Sequence, residues 1–343
     1  MANAAKKATE AKLTGLAEWD LKGLLLEEIK ARGGWVNAHT HLDRAYSITP
    51  DLLDLAEAQL QQKWTLVDEM KRTSTVAQIY DRMAMAIERQ LAQGVTALGS
   101  FIDVDEVIED KAIQAATKVR EKYQADLELV FINQTLKGVI EPTAREWFER
   151  GAEFVDIIGG LPGKDLGREE EHLDIIMETA QRLNKLVHVH VDQLNSPQET
   201  ETELLAAKTR QHGMAGKVVG IHGISIASHP QAYRQQLYQQ LNEAGVMMIA
   251  CPTAWIDHRR REELQPVHNS VTPVEELTAA GITVAIGTDN IADIYKPFTD
   301  GEMWLELRFL LESLHFYDLA ALTKIATSNG RKVLGLTENS QAN

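Results

Sequence analysis

A chain of 343 residues, 44% hydrophobic and 25% charged, can bury a large core without covalent staples. Its net charge of −15, from 50 acidic and 35 basic residues, excludes nucleic acid and anionic membranes as expected partners, since both call for a basic surface. One cysteine, Cys251, allows no intramolecular disulfide framework and fits a reducing, cytoplasmic setting.

The N-terminal stretch carries lysines but no apolar core of signal-peptide length. Leu21, Leu24, Leu25 and Ile29 recur at helical spacing, so residues 1–33 read as a leading helical segment, expected to cover the bottom of whatever follows. Eight apolar, often β-branched runs then recur: 35–42 (WVNAHTHL), 95–104, 127–135, 154–161, 186–193 (LVHVHVDQ), 218–224 (VVGIHGI), 246–252 and 283–290 (TVAIGTDN). Most are separated by amphipathic helical patterns such as 76–94 and 169–185, and several of these stop at glycine or asparagine. No run approaches the ~20 apolar residues that span a bilayer. Strands alternating with helices, without a linker or a low-complexity stretch, predict an α/β fold: a (β/α)8 TIM barrel in one domain over residues 1–343.

Active sites of such barrels lie at the C-terminal ends of the strands, and here those ends are polar. Residues two apart on a strand point the same way, so His39 and His41 can chelate one ion. The fifth run ends His188-Val189-His190-Val191-Asp192-Gln193, the sixth carries His222, and the eighth ends Thr288-Asp289-Asn290. Imidazoles and a carboxylate converging on one mouth suit Zn2+ or Fe2+. His188 shares the face of His190 but lies two residues deeper, as a packed supporting group or a proton carrier. Lys164, in a GLPGKD turn, leaves open a carboxylated lysine bridging two metals. Cys251 reads as a small buried hydrophobe. The segment 253–264 reads as a loop over the mouth, bringing Trp255 or His258 to the substrate; Tyr295 and Phe298 either stack on a flat ring or pack the loop.

HxH, His, His and Asp on strands one, five, six and eight, in that order, resemble the amidohydrolase superfamily. Within it, HTHLDR, HVDQ, IHG and GTDN, with INQTLKG after the third strand, are similar to the cytosine deaminase group and to aminohydrolases of s-triazine rings. The resemblance implies one divalent metal, Zn2+ or alternatively Fe2+, on His39, His41, His190 and Asp289. It implies that His222 bonds the water or the substrate, and that Gln134 and Asn290 contact an amide-like ring edge. Arg44 stands where some triazine-acting relatives carry lysine, and Gln193 and Trp255 complete the expected substrate contacts. A small-molecule substrate and a homo-oligomer are implied as well.

Two features depart from the pattern. The deaminases read HxDE at the fifth strand, and here Gln193, which cannot carry a proton at neutral pH, replaces the glutamate. The small β-sandwich usual in the family is expected to be missing. A metal here can lower the pKa of water towards neutrality, with Asp289 and His222 as the expected proton-handling pair. Hydrolysis of a C–N bond in a small nitrogen-rich heterocycle is the leading expectation. Hydrolysis or lysis of an amide, lactam, ester or carboxylate is the alternative, and a binding protein that has lost catalysis is a third reading.

Overall fold

The computed structural model describes residues 19–256 and 270–337. Its eight strands are β1 (Trp35–Thr40), β2 (Val95–Asp103), β3 (Glu128–Gln134), β4 (Ile157–Gly160), β5 (Leu186–Val191), β6 (Val218–His222), β7 (Met247–Ala250) and β8 (Val284–Ile286). They pair in chain order, all parallel. The ring closes where Thr40 bridges Asp289, whose amide donates to the His39 carbonyl at 2.9 Å. This is the predicted (β/α)8 TIM barrel.

The strands are apolar on both faces because both faces are covered. Val36, Ala38, Phe101, Ile132, Ile221 and Ile249 fill the interior, while Leu98, Ile158, Val189 and Ile286 meet the helices outside. Between β1 and β2 lie two helices, α2 (Leu60–Thr73) and α3 (Val76–Ala92), preceded in the chain by α1 (Leu21–Ala31). Thr75 and Gln78 close a reciprocal capping box at the start of α3, with bonds of 3.2 and 2.9 Å. Further on, α4 (Lys111–Tyr123), α5 (Pro142–Phe154), α6 (Glu169–Leu183), α7 (Glu201–Gln211), α8 (Gln231–Ala244) and α9 (Val274–Ala279) alternate with the strands. The predicted stops are present after α6, at Asn184 (φ 52°), and after α8, at Gly245 (φ 66°). The chain then runs through α10 (Met303–Leu314), α11 (Leu319–Ala326) and α12 (Ser328–Val333).

The barrel floor differs from expectation. Val333 and Leu334, at the end of α12, belong to the interior core, and a Cβ at Gly99 would lie 2.5 Å from Leu334 Cδ2. The described part of the leading segment packs elsewhere: α1 buries Leu25 and Ile29 in the outer cluster, against α11. The physical reason is shape, since α12 carries Gly330 against Val36 and brings two aliphatic side chains into a narrow opening. Among the described residues every strand belongs to the barrel.

Candidate active site

His39 lies near the end of β1, His41 one residue beyond it, His190 near the end of β5, and His222 on the last position of β6. The eighth strand is short: it ends at Ile286, and Asp289 sits in the following loop. Gly287 makes that turn possible, because a Cβ there would fall 2.7 Å from the Cβ of His39. The centroid of the His39 ring lies 4.9 Å from that of His41, 5.0 Å from His190 and 5.5 Å from His222. One carboxylate oxygen of Asp289, Oδ1, is 3.2 Å from His39 Nε2 and 3.3 Å from His41 Nε2. His39, His41 and His190 each offer a ligand atom within 4.8 Å of the others', and so do His39, His222 and Asp289.

This donor set fits a metal ion. His190 Nε2, His222 Nδ1 and Asp289 Oδ2 are buried without a hydrogen-bond partner, a costly condition that a cation relieves for the atoms it binds. Burial pushes all four imidazoles down, His41 and His190 well below the usual range and His222 to about 3. Burial also pushes the Asp289 carboxyl up, but Lys296 and the hydrogen bonds with His39 and His41 outweigh it and hold the group well below ordinary carboxylates. Neutral imidazoles beside an ionised carboxylate are the protonation states a divalent ion requires. We therefore expect bound metal to persist on dialysis from pH 7 to pH 5, below the ordinary histidine range, because protons compete for these nitrogens only at lower pH. Elemental analysis of samples equilibrated with a weak chelator checks this; release centred near pH 6.5 would contradict it.

The backbone is strained around the centre. Asp192, His222 and Asp289 all occupy the left-handed region, with φ of 53°, 74° and 59°. Such residues cost on the order of 1–3 kcal/mol each when the surroundings impose them, and they gather at functional sites. Here they turn the chain sharply at the ends of β5 and β6 and after β8.

Over the imidazoles a small pocket of about 20 Å3 is lined by Arg44, Trp64, Gln134, Gln193, Asn290 and Tyr295, among others. A neighbouring cavity of about 400 Å3 shares Leu60, Trp64 and Gln193 with it and adds Leu166, Glu199 and Glu201. The Gln134 side-chain oxygen accepts from the Thr135 amide at 3.0 Å, which leaves its N–H2 to donate. Asn290 is set the other way, since its N–H2 donates to Asp293 Oδ2 at 2.5 Å and its oxygen remains as acceptor.

The amidohydrolase family model matches residues 33–340. The chain belongs to the amidohydrolase family. It is accordingly a metal-dependent hydrolase of carbon–nitrogen bonds other than peptide bonds. An uncharacterized protein of Haemophilus influenzae is 55% identical over 260 residues, which are 75% of this chain and 94% of that one. The N-isopropylammelide isopropyl amidohydrolase of Pseudomonas sp. strain ADP is 23% identical over 94% of this chain and 80% of its own. Among solved structures, the 5-methylcytosine deaminase of Klebsiella pneumoniae liganded with phosphonocytosine superposes with a TM-score of 0.83 at 27% identity. That match covers 91% of this chain and 79% of that one.

This amidohydrolase brings together the expected His39, His41, His190, His222, Asp289, Arg44, Gln134, Gln193 and Asn290. Trp255 is elsewhere: its ring packs 5.7 Å from that of Phe309, and it is not part of the pocket lining. Phe298 is 89% exposed, whereas Tyr295 is buried over Arg44. His258 lies outside the described residues. Lys164 stands 5.4 Å over the Trp64 ring and belongs to neither ligand group. His188 bonds the Val333 carbonyl at 2.8 Å, tying the floor to β5, and burial pushes it down to about 4.

Sequence reasoning missed three residues. Trp64 on α2 reads as one apolar position of an amphipathic helix. Lys296 is fully buried, with Nζ 2.7 Å from the Thr288 carbonyl and 3.8 Å from Asp289 Oδ2. Glu306 accepts from the Thr253 amide and hydroxyl at 3.0 and 2.6 Å, and burial pushes it up to about 7. The signal for Lys296 was a lone cation in the apolar run IYKPF, seven residues beyond Asp289.

Proposed function

We propose that this enzyme removes an amine from a small nitrogen-rich ring by hydrolysis, using one divalent ion held by His39, His41, His190 and Asp289. The observation that carries the reading is the placement of Gln134 and Asn290, one donating and one accepting, in a pocket directly over the buried histidines and Asp289. A ring with alternating donors and acceptors matches such a pair. The ion, zinc by preference and iron as the alternative, supplies Lewis acidity and a water of lowered pKa.

Asp289 takes the proton from the attacking water and returns it to the leaving nitrogen. Lys296 makes it a weak base, which eases the return. His222, pushed down to about 3, stays neutral at working pH and acts as a hydrogen-bond partner to the developing charge, not as an acid. The pocket over the centre adjoins the larger cavity across Leu60, Trp64 and Gln193, which line both. Gln193, in place of a proton-carrying glutamate, favours a second reading in which the bond cleaved lies in an amide, lactam or ester. The buried lone cysteine suits the cytoplasm, and the habit of the deaminase group suits a homo-oligomer.

The test is metal content per chain together with ammonia release from cytosine and aminotriazines, and ring opening of lactams and cleavage of esters followed by chromatography of the products. One equivalent of zinc or iron with ammonia from an amino-ring supports the proposal. Turnover of lactams or esters alone selects the second reading, and failure to bind metal even after reconstitution sinks both.

A further inference from the structure

Arg44, 2% exposed, lies in the turn after β1, and its guanidinium forms part of the pocket lining. Its neighbours attract it without filling it. Asp103 Oδ1 is 3.5 Å from Nη1 and Asp293 Oδ2 is 4.0 Å from Nε, and both nitrogens are buried without a hydrogen-bond partner. The carboxylates around it are shared with other groups, although both Asp103 oxygens and Asp43 Oδ1 have no hydrogen-bond partner of their own. Lys71 lies 3.2 Å from Asp103 and 2.7 Å from Asp105. Asp293 takes the Asn290 amide on one oxygen and the backbone amides of Tyr295 and Lys296 on the other. Asp43 accepts the Asp103 amide at 2.7 Å. The Tyr295 ring, 5.1 Å from the guanidinium carbon, covers one of its faces.

A buried guanidinium with unmet donors beside a catalytic centre is set to receive an oxyanion, for which its planar donors are better suited than an ammonium group. Gln134 adds a further N–H donor to the same pocket. We infer that the substrate is an anion: a flat ring bearing a carboxylate or an ionised ring oxygen, seated on Arg44 and Gln134 while its C–N bond faces the metal ligands. This rests on the hydrolase reading above and adds to it the charge of the substrate. Asn290, whose oxygen is not used by the protein, accepts from a ring N–H on the opposite edge.

Two independent arms test the inference. In the first, calorimetry compares a pyrimidine carboxylate, its carboxamide and an acidic dioxotriazine on the wild-type protein, metal-loaded and metal-free. We expect at least one of the two anions to bind tenfold or more tightly than the neutral amide, with the preference surviving metal removal. The identity of the preferred anion separates the carboxylate from the ring oxygen. Arg44→Gln should reduce the preference to threefold or less, and Arg44→Lys should restore part of it. Thermal melts of the variants show whether they fold, and the wild-type comparison stands if they do not. Equal binding of anions and amide, or a preference that vanishes with the metal, overturns the inference. In the second arm, ammonia release from neutral and anionic amino-rings tests the hydrolase reading itself. Turnover with no anion preference sinks only the present inference, whereas anion binding without turnover of any C–N substrate sinks only the reaction.

Discussion

Asp289→Asn is expected to lower kcat by about a thousandfold or more, within the 10²–10⁴ typical of a lost proton carrier and compounded by weaker metal binding. Asparagine is the informative replacement because position 289 has φ 59°, a conformation that asparagine tolerates as well as aspartate does. The amide also keeps an oxygen near His39 and His41, which lie 3.2 and 3.3 Å from Oδ1 in the wild-type protein. What it loses is the negative charge and the ability to take a proton. Steady-state rates must therefore be measured on samples whose metal content is known. A variant that holds a full equivalent of metal and keeps its rate within tenfold of wild type would show that Asp289 is a ligand only, and that proton transfer passes through His222 or the substrate.

The barrel was legible because each strand is covered on both faces and so reads as an unbroken apolar run, as in 218–224 and 246–252. The histidines were legible because strand alternation alone puts His39 beside His41, and His190 within the same mouth. The strand ends were less so. Asp289 is carried by a loop, and its position depends on Gly287 passing close against His39, a contact between segments some 250 residues apart. Trp255 was placed by its proximity to strand seven, yet packing on Phe309 decides where it goes, and helix-to-loop packing of that kind leaves no periodic trace. The contribution of α12 to the floor was not legible for a similar reason. An amphipathic leading helix announces itself by spacing, whereas Val333 and Leu334 enter the barrel from a short helix with no distinctive pattern. Arg44 is identified by a resemblance, but the fit of its donors depends on where Asp103 and Asp293 stand around it, 3.5 and 4.0 Å away, which only the tertiary structure reveals.

A polar chain runs behind the site that the sequence reading did not anticipate: Glu306 to Thr253, Thr253 to Lys296, and Lys296 to Asp289, all within the interior. Lys296 is the only lysine among the residues joined in this chain and carries charge where Asp289, a proposed metal ligand, is ionised. Glu306, pushed up to about 7, takes part of its interaction with Lys296 as a partly protonated acid near neutral pH. In the metal-free protein Lys296 is thus the main compensation for Asp289; in the loaded protein the cation shares that task.

Lys296→Met is accordingly expected to destabilise the metal-free protein by about 3–5 kcal/mol, the usual result of removing one member of a buried charge pair. The loss should be distinctly smaller in the metal-loaded protein, because the ion then neutralises the carboxylate. The pH dependence has a fixed sign. In the wild type Asp289 is held well below its ordinary value, so the stability it contributes is present above about pH 4 and lost as pH falls further. Without Lys296 the burial of Asp289 dominates and its pKa rises, so the carboxyl takes up a proton more readily and the deficit of the variant narrows as pH falls from 7 towards 4. Urea unfolding of both forms at pH 7 and pH 5 measures all of this. A deficit that is the same with and without metal, and the same at both pH values, would mean that Lys296 matters for packing its aliphatic stem and not for balancing the charge of Asp289.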